Sequence, residues 1–184
     1  MSASSQASAQ KVLVFDFGAQ YGQLIARRVG DLHVYSEIVP CDITAEEVRE
    51  MSPSAIILSG GPASVNAEDA PRVDPAIYEL GVPVLGFCYG HQITAVTLGG
   101  TVFHPEVGEY GPATLHVESG ALFEGTPADQ TVWMSHFDAV RDVPEGFTVV
   151  ASTDVCPVAA MENAEKRIYT TQFHPEVKHT EFGQ

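Results

Sequence analysis

Val82-Pro-Val-Leu-Gly-Phe-Cys-Tyr-Gly-His-Gln-Ile-Thr-Ala-Val-Thr-Leu98 decides the fold. Val82 to Phe87 is a short apolar run of the kind that forms a strand buried on both faces. His91 to Leu98 reads as a helix, stopped by Gly99-Gly100. Between them stands Gly86-Phe87-Cys88-Tyr89-Gly90, which has the form of a nucleophile elbow with a thiol in the hydroxyl's place. A strand-to-helix turn this tight is strained, and the glycines two positions before and after Cys88 supply the room it needs. Such a turn pushes Sγ out above the sheet. It also sets the sulfur near a helix N-terminus, where unpaired N–H groups and the dipole favour thiolate over thiol.

The same alternation extends towards the N-terminus. Lys11 to Gly18 reads as a strand, Gln20 to Val29 as a helix closed by Gly30-Asp31, and His33 to Val39 as a second strand. Thr44-Ala-Glu-Glu47 fits a capping box that opens a helix to Met51. Ala55 to Ser59 is a further strand, ending in Gly60-Gly61-Pro62, and Asp74-Pro75 starts a helix to Leu80. Strands alternating with helices imply a mostly parallel central sheet with helices on both faces, an α/β fold. Ligands of such sheets sit at the carboxyl ends of strands. Beyond Gly100 the strand-like runs are 101–103, 112–117, 131–135, 147–152, 158–162 and 167–173, with little helical pattern. These are expected to add antiparallel strands to the same sheet. Residues 1–10 are Ser/Ala/Gln-rich and read as a flexible tail. Residues 11–184 show no linker or charge break, so they read as one domain.

Composition narrows the function classes. The 184 residues carry a formal charge of −15, and a polyanion lacks the basic surface that phosphate backbones or anionic lipids require. Nucleic-acid and membrane-surface partners are therefore not expected, and no apolar run reaches the ~18 residues of a membrane span. Since 45% of residues are apolar, the acidity is not that of a disordered chain. The odd cysteine count, Cys41, Cys88 and Cys156, leaves a free thiol and suits a reducing cytoplasm. Cys41 and Cys156 read as small buried residues in turns, whereas Cys88 has strand, glycines and helix in agreement.

A nucleophilic thiol needs a base, and the base an orienting group. His174-Pro175-Glu176 offers both, because residues two apart in an extended segment share a face. The same pentapeptide occurs twice, as Phe103-His-Pro-Glu-Val107 and Phe173-His-Pro-Glu-Val177, and spacing cannot choose between the copies. The second follows a longer strand-like run and better fits a strand-end site. Ser59-Gly60-Gly61-Pro62 can turn backbone N–H groups towards a ligand, as an oxyanion hole requires. It lacks the Lys-Ser/Thr of a phosphate-binding loop, and Gly18-Ala-Gln-Tyr-Gly22 lacks dinucleotide spacing. His33, His91, His116, His136 and His179 show no metal-ligand spacing, so no metal is expected.

Taken together, Ser59-Gly-Gly-Pro62, Gly86-Phe-Cys-Tyr-Gly-His-Gln92 and Gln172-Phe-His-Pro-Glu176 resemble the class I glutamine amidotransferases, from about Val12 to the last residue. Within them the chain is similar to the glutaminase domains of the GMP synthase branch. The supporting segments are Phe15-Asp-Phe-Gly-Ala-Gln-Tyr21, Glu109-Tyr-Gly111 and Val132-Trp-Met-Ser-His136 with Asp138. The resemblance implies a flavodoxin-like sheet. It implies Cys88, His174 and Glu176 as catalytic residues, Gly61 and Tyr89 as oxyanion hole, and Gly60, Gln92, Ser135, His136 and Phe137 around the substrate, L-glutamine. It further implies no cofactor in this domain. ATP and Mg would belong to an ATP-pyrophosphatase (synthetase) partner, which would use the ammonia to aminate XMP. A final helix and that synthetase are expected beyond Gln184, either in one longer chain or as a separate subunit.

The His104 copy falls where the family has no catalytic motif and reads as incidental. Phe137 stands where Gly is usual in the family, His91 where a medium apolar residue is usual, and Thr171 where Gly is usual. Two other functions use the same residues: a catalytically quiet module that regulates a synthetase, and a stand-alone thiol hydrolase of γ-glutamyl bonds.

Overall fold

A computed structural model describes residues 10–18 and 20–184. The expected tail therefore lies almost wholly outside the described residues. A nine-stranded sheet organises the molecule. Its parallel half is β2 (Tyr35–Pro40), β1 (Lys11–Asp16), β3 (Ala55–Leu58), β4 (Val84–Phe87) and β11 (Ile168–Thr171). Beyond β11 the pairing turns antiparallel, through β10 (Ala160–Asn163), β9 (Thr148–Ser152), β6 (Glu109–Val117) and β7 (Asp129–His136). Strand β11 thus belongs to both halves.

Strand alternation explains how the parallel half is covered. Val12, Val14, Ile57, Leu85 and Phe87 face helix α1 (Gly22–Asp31) through its Ile25 and Val29. Leu13, Phe15, Ile56, Leu58 and Val84 face the other way, onto α2 (Ala45–Met51) and α3 (Tyr89–Thr97) through Val48 and Ile93. The Thr44 capping box forms, with Glu47 N–H donating to Thr44 Oγ1 at 3.3 Å and Thr44 N–H donating to Glu47 Oε2 at 2.9 Å. Asp74 accepts from Ala76 N–H at 3.0 Å, but the helix it starts is a 3₁₀ turn, Pro75–Glu79. Its other oxygen accepts from Ala45 N–H at 2.8 Å, so one carboxylate caps two helices.

Two expectations fail in the second half. Strand β5 (Thr101–Phe103) is not on the main sheet. It pairs antiparallel with β8 (Ala139–Asp142), a strand with no counterpart in the sequence reading, and this two-stranded ribbon lies on α3. Gly99, at φ +98°, turns the chain back over α3 and carries β5 away from the sheet. Strand β8 was hidden because only two of its four residues, Ala139 and Val140, are apolar. The 112–117 strand also starts earlier, at Glu109. Pro112 is tolerated inside β6 because β9 pairs only with His116 and Val117, which leaves Pro112 a neighbour on one side alone.

Candidate active site

The carboxyl ends of β1, β3, β4 and β11 converge on one cavity of about 530 Å³. The elbow stands at its floor. Cys88 has φ 52° and ψ −104°, a conformation that costs a non-glycine residue strain, and α3 begins at the next residue. Glycine makes the turn possible by allowing close approach. A Cβ on Gly90 would lie 2.3 Å from the Leu58 carbonyl oxygen, and one on Gly86 would lie 2.7 Å from that of Gly90. Cys88 N–H donates to the Thr171 carbonyl at 2.9 Å, tying the elbow to the end of β11.

Strand β11 leads on to His174. His174 Nδ1 donates to Glu176 Oε1 at 2.8 Å, and both side chains are buried. That bond leaves Nε2 as the nitrogen available for proton transfer. Burial alone would lower the His174 pKa, but interaction with Cys88 and Glu176 outweighs it and lifts the value to about 10. Gly60 lets the Cys88 and His174 side chains come close: a Cβ there would lie 3.1 Å from His174 Cε1 and 3.6 Å from Cys88 Cβ. The Ser59 hydroxyl holds the glycine turn, accepting from Phe17 N–H at 3.3 Å and donating to the Gly60 carbonyl at 3.0 Å. Gly61 packs on Phe17 and Tyr89, and among the described residues neither its N–H nor that of Tyr89 meets a backbone acceptor. Gly61 lines the cavity, and Tyr89 follows Cys88 at the start of α3.

Gln92, Ser135, His136 and Phe137 all line the cavity. Ser135 does so with its backbone, whose carbonyl faces Cys88 Sγ at 3.7 Å. Gln92 Nε2 donates to the Asp138 carbonyl at 2.7 Å and to Gln172 Oε1 at 3.1 Å, which braces the cavity wall and leaves its own oxygen free of that work. Both ring nitrogens of His136 are engaged by the protein. Its Nε2 faces Glu109 Oε2 at 3.0 Å, its Nδ1 the Asp138 carbonyl at 2.9 Å, and Thr153 donates to Glu109 Oε1 at 2.7 Å.

Glu109, His136 and Cys156 place ligand-type atoms within 4.8 Å of one another, a cluster that linear spacing did not announce. Glu109 and His136 satisfy each other there. Burial, with the charge of Glu109, pushes the Cys156 thiol up to about 12, so it sits as an inert thiol. Burial likewise raises Cys41.

His91 is fully buried and satisfied. Its Nε2 donates to the Val158 carbonyl at 3.1 Å, and the Thr170 hydroxyl reaches its Nδ1 at 2.8 Å. Burial lowers its pKa to about 3, so it is a neutral polar strut between α3 and the antiparallel half.

Sequence reasoning missed several lining residues: Tyr21, Ser64, His104, Tyr110 and Asp138. The Tyr21 ring lies 5.1 Å from that of His174. His104, read as incidental, stacks on Phe137 with ring centroids 4.1 Å apart and donates from Nδ1 to Asp138 Oδ1 at 2.7 Å. A signal was present, since the Phe-His-Pro-Glu repeat marked position 104, but nothing in linear spacing joined it to Phe137.

The comparisons agree with this geometry. The family model described as glutamine amidotransferase class-I matches residues 13–184. A "GMP synthase [glutamine-hydrolyzing]" of Streptomyces avermitilis is 62% identical over the whole chain, and one of Clostridium novyi is 56% identical over 94% of it. The chain spans about a third of the length of these relatives (35% and 34%). Among solved structures, a Thermoplasma acidophilum protein described as a candidate GMP synthase subunit superposes with TM-score 0.86 at 33% identity, covering 95% of this chain and 88% of that one. A Thermotoga maritima glutamine amidotransferase shares the fold, with TM-score 0.74 at 20% identity over 92% of this chain and 77% of that one. The strained thiol elbow, the buried His–Glu pair and these matches lead to one conclusion: the chain belongs to the class I glutamine amidotransferases.

Proposed function

We propose that this chain is the glutaminase part of a glutamine-hydrolysing GMP synthase. The observation that carries the proposal is the convergence of the Cys88 elbow and the His174–Glu176 pair on one cavity, in a chain 62% identical to a protein of that name. His174 takes the Cys88 thiol proton as Sγ attacks the carboxamide carbon of L-glutamine, and the carbonyl π electrons move onto oxygen. The N–H groups of Gly61 and Tyr89 hold that oxyanion. His174 gives its proton to nitrogen, the C–N bond breaks, and ammonia leaves a glutamyl thioester. His174 then takes a proton from water as it attacks the thioester, glutamate departs, and the thiol is restored. Glu176 holds the imidazole in the orientation that keeps Nε2 on the reacting side. Gln92 and the Ser135–Asp138 segment receive the amino-acid end.

The ammonia passes to a synthetase partner, in the same polypeptide or another, which binds ATP with Mg and aminates XMP. This division of labour suits a −15 chain, because the substrate is a zwitterion and the nucleotide chemistry lies elsewhere. No helix among the described residues is long and apolar enough to cross a membrane, and a cytoplasmic place fits the free thiol. The cavity favours a working enzyme over a quiet module. With Phe137 on its wall it still falls within the ~300–1,000 Å³ of small-molecule sites. The test is ammonia release from L-glutamine, alone and after adding a GMP synthase synthetase portion with ATP, Mg and XMP. Stimulated release with GMP formation is expected. Release indifferent to the synthetase would favour the stand-alone hydrolase, and no release in either condition the quiet module.

A further inference from the structure

We propose that Phe137 and His104 form a braced aromatic wall that restricts the cavity to free amino acids and rejects glutamine substituted on its α-nitrogen. The wall begins at the reacting end, since the Ser135 carbonyl faces Cys88 Sγ at 3.7 Å. It continues two residues on to the Phe137 ring, and the stacked His104 carries it outward to solvent, with 71% of the His104 side chain exposed. A group carried on the α-nitrogen, at the end that Gln92 and residues 135–138 receive, therefore meets this stack.

The wall cannot easily give way. His104 Nδ1 donates to Asp138 Oδ1 at 2.7 Å, Ser64 donates to the other oxygen of the same carboxylate, and Gln92 Nε2 holds the Asp138 carbonyl at 2.7 Å. The Gly108 backbone packs close against the ring: a Cβ there would lie 3.1 Å from Phe137 Cδ2 and 3.0 Å from the Tyr110 ring. The sequence repeat at 103–107 thus contributes a selectivity residue through its histidine, with no part in proton transfer. Stacked aromatic pairs hold their geometry well enough for such a role.

The identity of the substrate rests on the glutaminase reading, so the experiment has two arms on the full chain. The first compares kcat/KM for L-glutamine and N-acetyl-L-glutamine in wild type, Phe137→Gly, His104→Ala and His104→Tyr. Removing the ring should shift the ratio towards the acetylated substrate about tenfold or more, as steric pocket contacts do. His104→Ala should shift it less, mainly through KM, and His104→Tyr should restore it by keeping a stacked ring. The second arm needs no turnover. It measures the rates at which iodoacetamide and N-benzyl-iodoacetamide alkylate Cys88, and the bulky-to-small ratio should rise in the same order of variants. His104 is exposed, so its variants report even if Phe137→Gly misfolds. A wild type without glutamine turnover, alone and with the synthetase portion, ATP, Mg and XMP, sinks the glutaminase reading and leaves the alkylation ratio to decide the wall. Either ratio staying within about twofold of wild type in His104→Ala and, where it folds, Phe137→Gly overturns the proposal.

Discussion

Phe103-His-Pro-Glu-Val107 and Phe173-His-Pro-Glu-Val177 are the same five residues in two surroundings. The second leaves the carboxyl end of β11, the strand paired parallel with the elbow strand β4, and buries its histidine and glutamate against each other beside Cys88. The first leaves β5, in a two-stranded ribbon on α3, and exposes its histidine and its valine. His104 finds Asp138 and the Phe137 ring instead of its own glutamate. The pentapeptide supplies the same side chains to both places. The strand it follows decides whether they become a dry His–Glu pair or a cavity rim.

The comparison breaks most sharply at the histidines. His174→Ala should lower glutamine kcat by roughly 10³-fold, the range of a lost acid–base group, while His104→Ala leaves kcat within a few-fold. Steady-state ammonia release checks both, and equal losses would erase the distinction. At the glutamates, Glu176→Gln should cost on the order of 10²-fold by releasing the ring's orientation, whereas Glu106→Gln, exposed in the bend after β5, should cost nothing measurable.

Stability against pH separates the buried histidines more finely. The His174 pKa is raised, to about 10. Its contribution is therefore fully present below the ordinary value of ~6.5 and is lost as pH rises through about 10. Urea unfolding of wild type should weaken over that range, and His174→Gln should weaken less. His91 has the opposite sign, lowered to about 3. Its contribution is present above ~6.5 and is lost as pH falls towards 3, because the unfolded chain takes up the proton first. His91→Met should flatten the acid limb of the same titration, and an unchanged limb would mean that other groups set it.

What could be read in advance follows from how local the determinants are. Gly86 and Gly90 announce the elbow because the motif that carries it spans only five residues of chain, although Gly90 also makes room for the Leu58 carbonyl of β3. The alternating elements of the parallel half are legible for the same reason, each carrying its own periodicity and caps, as Thr44 and Asp74 show. The ribbon was not legible, because β5 and β8 are short, lie 36 residues apart between Phe103 and Ala139, and are joined only by tertiary packing on α3. His136 lines the cavity as expected, but its ring partner Glu109 was not legible, because it lies 27 residues away, across a strand register that periodicity alone cannot supply. The His104–Phe137 stack escaped for the same reason.

The central claim is that the elbow at Cys88, with His174 and Glu176, is where glutamine reacts. Incubation of the chain with an electrophilic glutamine analogue, followed by peptide mass spectrometry, tests it directly. The account predicts a single adduct on Cys88, absent in Cys88→Ala and strongly slowed in His174→Ala but not in His104→Ala. An adduct on Cys41 or Cys156, with Cys88 unmodified, would contradict it.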